Sequence, residues 1–361
     1  MNEKTKEILE KFYTEKYKNP EVKPLYRKEI LDVNLTNISA TELSELCLTL
    51  GDGCGTKTFG NLILYFSALY DYMIENGYVK VNPFKTYEML SFHVLYKEFA
   101  EKSSLVILYK EDIENIIDLI EDDTKTDEKD LKVLLLRGFF EGIPYIEYFA
   151  DMKCENIDYK NRVINVTKGV TNKFSKEFFD ALKRYEENTQ IILHYDNSNK
   201  KSEIECNRIR FNNHLLKYNN RTSRGEYSIE TDKKYRAYIL RNIRKQMKEI
   251  VEIVKKEYDF EFTISDLAIS GFLNYVYNNT NNYRLFVETC MKYRPMELIY
   301  LGKMYGMKNA KRLKYTCYVY VYKSKWYQEF LLDKTIPDEE KEKYAYAVSY
   351  THLTLPTIRL V

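Results

Sequence analysis

Nowhere in the 361-residue chain is there a run of about 18 consecutive apolar residues. The start, MNEKTKEILEKF, is charged and amphipathic. Neither a membrane span nor a signal peptide is supported, and a cytoplasmic protein with no membrane partner is expected. The six cysteines, Cys47, Cys54, Cys154, Cys206, Cys290 and Cys317, include no CxxC pair, which argues against a zinc site or a disulfide framework and leaves reduced, packed thiols. No GxxxxGK[ST] is present, so Gly51, Gly53 and Gly55 read as a connection between helices rather than a phosphate cradle. The carboxylates form no DxD or HxxxH arrangement, and His194 and His214 lie in polar stretches, where they read as surface residues. No metal or cofactor is expected.

What the chain does have is charge sorted by position. The formal net charge is only +2, yet Glu111 to Asp130 is strongly acidic, while Lys200 to Lys256 and Met291 to Lys325 are strongly basic. Abundant Lys, Asn, Tyr and Ile, as an AT-rich gene would give, account for part of the basic excess. The segregation favours a surface that faces a polyanion over one that is merely solvated.

The first hundred residues read as helical. Ile8, Leu9, Phe12 and Tyr13 share one face of a helix from Asn2 to Tyr17. Ser39, with Glu42 three residues on, caps a helix through Leu50, and a longer one runs from Thr56 to a stop at Gly77. Asn82-Pro83 marks a turn before a last helix to about Glu101, and Glu98 to Leu108 reads as a linker. Tyr109 then opens an acidic helix, Lys125 to Lys129 is a polar loop, and Leu131 to Phe140 is an apolar helix. A strand over Arg162 to Thr167 leads into the turn Lys168-Gly169, followed by a helix through Tyr185 and a short strand from Gln190 to His194. From Arg236 a long helix sets Ile239, Ile243, Met247, Ile250 and Val254 on one side and its Arg and Lys on the other. The end, SYTHLTLPTIRLV (349–361), has no amphipathic period and resembles a translated sequencing-adapter artefact, so it reads as a non-native tail.

Three stretches, GIPYIEYFADMKCENID from Gly142, TISDLAISGFLNYVYN from Thr263 and LGKMYGMKNAKRLKYTCYVY from Leu301, resemble in order and spacing the active-site segments of the tyrosine recombinase (phage integrase) family. TxxxxxxxLxxFxxYMxxxGYVxxNPF, from Thr56, is similar to the family's core-binding domain. The resemblance runs from about Asp32 to Tyr320. It implies a mainly α fold: a helical, SAM-like core-binding domain at 1–103, and a recombinase-like α+β domain with a small antiparallel sheet at 104–348.

Strand cleavage by a tyrosine needs positive charge on the scissile phosphate, a general acid for the leaving oxygen and a placed phenol. The first family arginine falls on Pro144 or Tyr145, and Arg137, one helix back, is the nearest guanidinium. The HxxR pair falls on Ser265 and Ala268, the third-segment histidine on Met307 and the nucleophile near Tyr315 or Tyr318. Only a turn lysine is kept, as Lys168 or Lys173. The chain is most similar to the catalytically inactive integrase-like repressors that maintain lysogeny in SPbeta-type Bacillus prophages. Such a resemblance implies a non-catalytic, sequence-specific binder of double-stranded DNA acting on prophage genes, open to a regulatory protein partner.

The implied DNA contacts are Lys57, Thr58 and Asn61 at a helix start, where short polar groups suit a phosphate. Phosphate contacts are further expected from Lys168, Lys173, Arg208, Arg210, Arg221 and Arg224, and base readout from Arg236, Arg241, Asn242 and Arg244. A divergent active recombinase, with Arg137 rebuilding the clamp, and a tyrosine-rich protein-binding scaffold are the competing readings.

Overall fold

The computed structural model describes residues 1–16, 24–52, 54, 56–102, 105–123, 127–167, 170–197, 200–221, 229, 231–291, 296–307 and 310–345. These fall into two compact units. Unit 1 contains the described residues of 1–105, 290–291 and 312–345, and unit 2 those of 106–289, 296–307 and 310–311.

Unit 1 begins with α1 (Glu3–Lys16), α2 (Lys28–Leu31), α3 (Ala40–Gly51), α4 (Thr56–Glu75), α5 (Pro83–Thr86) and α6 (Phe92–Lys102). Each boundary has a local cause. Ser39 accepts from the Glu42 amide while the Glu42 carboxylate accepts from the Ser39 amide, closing both ends of a capping box at α3. After α4 the chain turns at Gly77, whose φ of +73° a side chain would strain. Asn82 caps α5 through Phe84 N–H, with Pro83 in the first helical position. The core is aromatic: Phe12, Tyr13, Phe66, Tyr70 and Tyr72 are buried, and the Tyr70 hydroxyl donates to the Leu35 carbonyl at 3.0 Å.

Unit 2 runs through α7 (Lys110–Asp122), α8 (Lys129–Glu141), α9 (Ile146–Asp151), β1 (Ile157–Asp158), β2 (Val163–Thr167), β3 (Val170–Lys173) and α10 (Lys176–Glu187). It continues with β4 (Gln190–Asn197), β5 (Lys200–Arg210), β6 (Lys217–Arg221), α11 (Asp232–Tyr258), α12 (Ile264–Thr280), α13 (Tyr283–Met291), which ends in unit 1, and α14 (Met296–Met304). Among the described residues two antiparallel sheets form, β1-β2-β3 and β4-β5-β6. The mainly helical class with small antiparallel sheets is as expected. The second sheet is larger than the single short strand read at Gln190. α8 is buried along its whole length, with Leu134, Leu135, Leu136 and Phe139 fully covered, and α7, α10, α11 and α12 pack around it. In α11, Ile239, Ile243, Met247, Ile250 and Val254 are all buried, as their spacing requires.

The last described elements are α15 (Ala310–Lys323), α16 (Lys325–Leu332) and α17 (Asp338–Ala345). From Arg312 onward the described residues group with unit 1. Tyr318, Val321, Trp326 and Phe330 bury the apolar side of α15 and α16, and Lys323 Nζ donates to the Leu105 carbonyl at 3.0 Å. The linker read at Glu98 is helical to Lys102, and Leu108 is buried, its amide donating to Ser270 Oγ at 3.0 Å. The tail at 349–361 and the turn Lys168-Gly169 lie outside the described residues.

Candidate nucleic-acid interface and segment junction

The first and third recombinase-like segments meet in unit 2. At the end of α8 the Gly142 carbonyl accepts from Asn172 Nδ2 of β3 at 3.0 Å, and Glu141 accepts from both the backbone and the hydroxyl of Ser175 at 2.8 Å. Gly306, with φ +88°, lies against Pro144 and Val166. The second segment joins them through Gly271 on α12: a Cβ there would stand 1.9 Å from the Phe140 carbonyl oxygen and 2.4 Å from the Tyr305 hydroxyl. Only a glycine lets α12 cross α8 this closely. The Tyr305 phenol donates into the same α8 terminus, at the Phe140 carbonyl, and burial raises it well above its usual pKa.

The side chains at the clamp positions are uncharged. Pro144 is buried, Tyr145 is 36% exposed and stacks edge-on to Tyr148, Ser265 is exposed, and Ala268 and Met307 are buried at 3% and 4%. Arg137 is committed elsewhere, gripping Glu114 through two bonds of 2.9 and 2.6 Å. Tyr318 is buried in unit 1, its hydroxyl 3.4 Å from the Met291 carbonyl, while the Tyr315 side chain lies outside the described residues. Lys173, at the end of β3, is exposed.

The expected DNA contacts divide into those on the surface and those inside. On α11, Arg241 and Arg244 are exposed, and neither forms an ion pair among the described residues. Arg236 is exposed but bound to Asp151 at 2.6 Å. Asn242 is half-buried, and its Oδ1 accepts from Gln246 at 3.2 Å. In unit 1, Thr58 and Asn61 are exposed on the first turns of α4. The side chains of Lys57 and Arg221, and all of Lys168 and Arg224, lie outside the described residues.

Arg208 and Arg210 correct the sequence reading. Both lie on the strand β5, where period-2 alternation turns Cys206, Arg208 and Arg210 to one face. Arg208 is buried over the Tyr185 ring and paired with Asp130 through both terminal nitrogens, with Glu128 at 3.6 Å. Arg210 is half-buried and bound to Glu186 at 2.9 Å and to Cys154 Sγ. His214, expected at the surface, is also buried, packed on Tyr235 with ring centres 4.4 Å apart.

Arg208 belongs to a buried polar network that the sequence reading missed. Lys132, fully buried at the start of α8, donates to Gln246 and pairs with Glu249, both on α11. Gln246 in turn donates to Glu128 at 2.7 Å, and Asn219 of β6 donates to Glu128 at 3.1 Å. Two buried cations, Arg208 and Lys132, thus meet the carboxylates of Glu128, Asp130 and Glu249, and the network fastens α8, β5 and β6 to the inner face of α11. The hint in the sequence was the alternating Glu128, Asp130, Lys132 at the head of a helix whose middle is the apolar run 133–136.

No family model matches the chain, and no curated protein matches it. Among solved structures, the Tn1549 transposon integrase in complex with circular intermediate DNA is similar at 15% identity and a TM-score of 0.40, over 86% of this chain and 94% of that one. A form of the same integrase in complex with transposon right end DNA is similar at 13% identity and a TM-score of 0.40, over 86% and 93%.

Proposed function

We propose that the chain is a sequence-specific double-stranded DNA-binding protein that does not cut its target, and that it represses prophage genes to maintain lysogeny. The observation that carries the DNA-binding part is α11. It buries one stripe completely while holding Arg241 and Arg244 in solvent without carboxylate partners among the described residues, whereas Lys245 and Lys248 are paired at i,i+4, Arg236 with Asp151 and Lys255 with Glu261. Unpaired guanidiniums on a helix fixed from behind suit base edges in a major groove. The non-cutting part follows from Pro144 or Tyr145, Ser265, Ala268 and Met307 at the clamp and acid positions, with Arg137 locked to Glu114. One missing donor of this kind removes about 2.7–4 kcal/mol of transition-state stabilisation. The repressor role rests on the sequence resemblance alone.

The test is a duplex selected for binding from a random library, then nicked as a suicide substrate. The expected result is a non-covalent shift with no adduct surviving denaturation. A phosphotyrosyl adduct abolished by Tyr315→Phe or Tyr318→Phe would establish a divergent recombinase instead.

A further inference from the structure

Beside the segment junction, unit 2 opens into a cleft of about 220 Å³. Charges of both signs line it. Lys110, opening α7, and Lys173, ending β3, are exposed, and neither forms an ion pair among the described residues. Two carboxylates face the same space. Glu114 gives both oxygens to Arg137, which leaves each a further lone pair. Glu141 is withdrawn from water, and that desolvation holds its carboxyl above the ordinary range although Ser175 donates to both oxygens.

This mixture selects among ligands. A compact anion held by the two lysines would also lie against two carboxylates, and a simple cation would meet Lys110, Lys173 and Arg137. A zwitterion satisfies both sets. Ile113, Phe140 and Tyr275 also line it, together with the amides Asn274 and Asn278, and such a mixed wall suits a short side chain.

We propose that this cleft binds a free α-amino acid, its carboxylate held by Lys110 and Lys173 and its ammonium group by Glu114 and Glu141. An ammonium beside Glu141 restores the interaction that burial denies that carboxylate. The cleft shares only Lys173 with the surface proposed for DNA, so the two readings stand or fall separately.

The test uses the full chain without DNA. Thermal unfolding is followed with each of the twenty free amino acids at millimolar concentration and constant ionic strength. The N-acetyl and methyl-ester derivatives of any that respond serve as controls, and calorimetric titration gives the Kd. At least one amino acid is expected to raise Tm while both of its derivatives do not. Lys110→Ala and Lys173→Ala, both at exposed positions, are each expected to weaken binding tenfold or more and to leave the unliganded Tm unchanged. A panel with no response, derivatives as effective as the parent amino acid, or variants that bind as tightly as the native chain would each overturn the proposal. A larger shift from inorganic phosphate than from any amino acid would overturn it in favour of an anion site. Duplex binding by Lys110→Ala, measured alongside, is expected to be unchanged, which separates loss of the cleft from loss of the DNA surface.

Discussion

Arginine serves opposite ends in unit 2. Arg208 is sealed between Asp130, Glu128 and the Tyr185 ring, whereas Arg241 stands in solvent on α11. Removing one partner of a buried pair strands the others, so Arg208→Ala is expected to cost about 3–5 kcal/mol of unfolding free energy in urea titrations. Arg241→Ala is expected to stay within about 0.5 kcal/mol of the parent and to show its effect on DNA binding alone. Glu141 gives a pH signature. Because burial raises its folded pKa above the unfolded value, the folded state holds its proton longer. The contribution is therefore complete below the ordinary Glu pKa of about 4.3 and lost as pH rises through the folded value. Glu141→Gln, followed by the urea midpoint across the mildly acidic range, is expected to flatten that decline; an unchanged profile would show that Glu141 is not its source.

At the level of elements, α12 depends on Gly271. Adding a methyl group 1.9 Å from the Phe140 carbonyl forces α8 and α12 apart, so Gly271→Ala is expected to destabilise by at least about 1–3 kcal/mol and to broaden the Tyr305 ring signals in NMR spectra. Near-native stability would mean that the crossing is looser than described. The same elements show what the sequence disclosed. α11 was legible because five apolar residues at helical spacing have no other arrangement, and α3 because Ser39 and Glu42 form a local capping signal. β5 was not. Its inward face carries Arg208 and Arg210, whose partners lie 78 and 24 residues away, so nothing local in the sequence marked these cations as turned inward. The uncharged clamp positions could be read directly, since they depend on residue identity. The commitment of Arg137 to Glu114 and the mixed-charge cleft could not, because they arise from elements brought together only by folding.

For the whole molecule, the proposed function needs a DNA surface supplied by cations that form no ion pair among the described residues, on a chain proposed not to cut its target. Non-specific affinity from such a surface comes from released counterions, and each phosphate neutralised contributes about −0.9 to the slope of log K against log salt. The most direct measurement is duplex affinity between about 50 and 200 mM salt for the native chain and for the Arg241→Ala, Arg244→Ala double variant. With about six to ten phosphates engaged, the native chain is expected to lose ~10³–10⁵ in affinity across that range. The double variant is expected to lose preference for a selected duplex by about 1–3 kcal/mol per base contact removed. A native affinity that stays flat with salt, or a double variant that keeps both its slope and its sequence preference, would contradict the account.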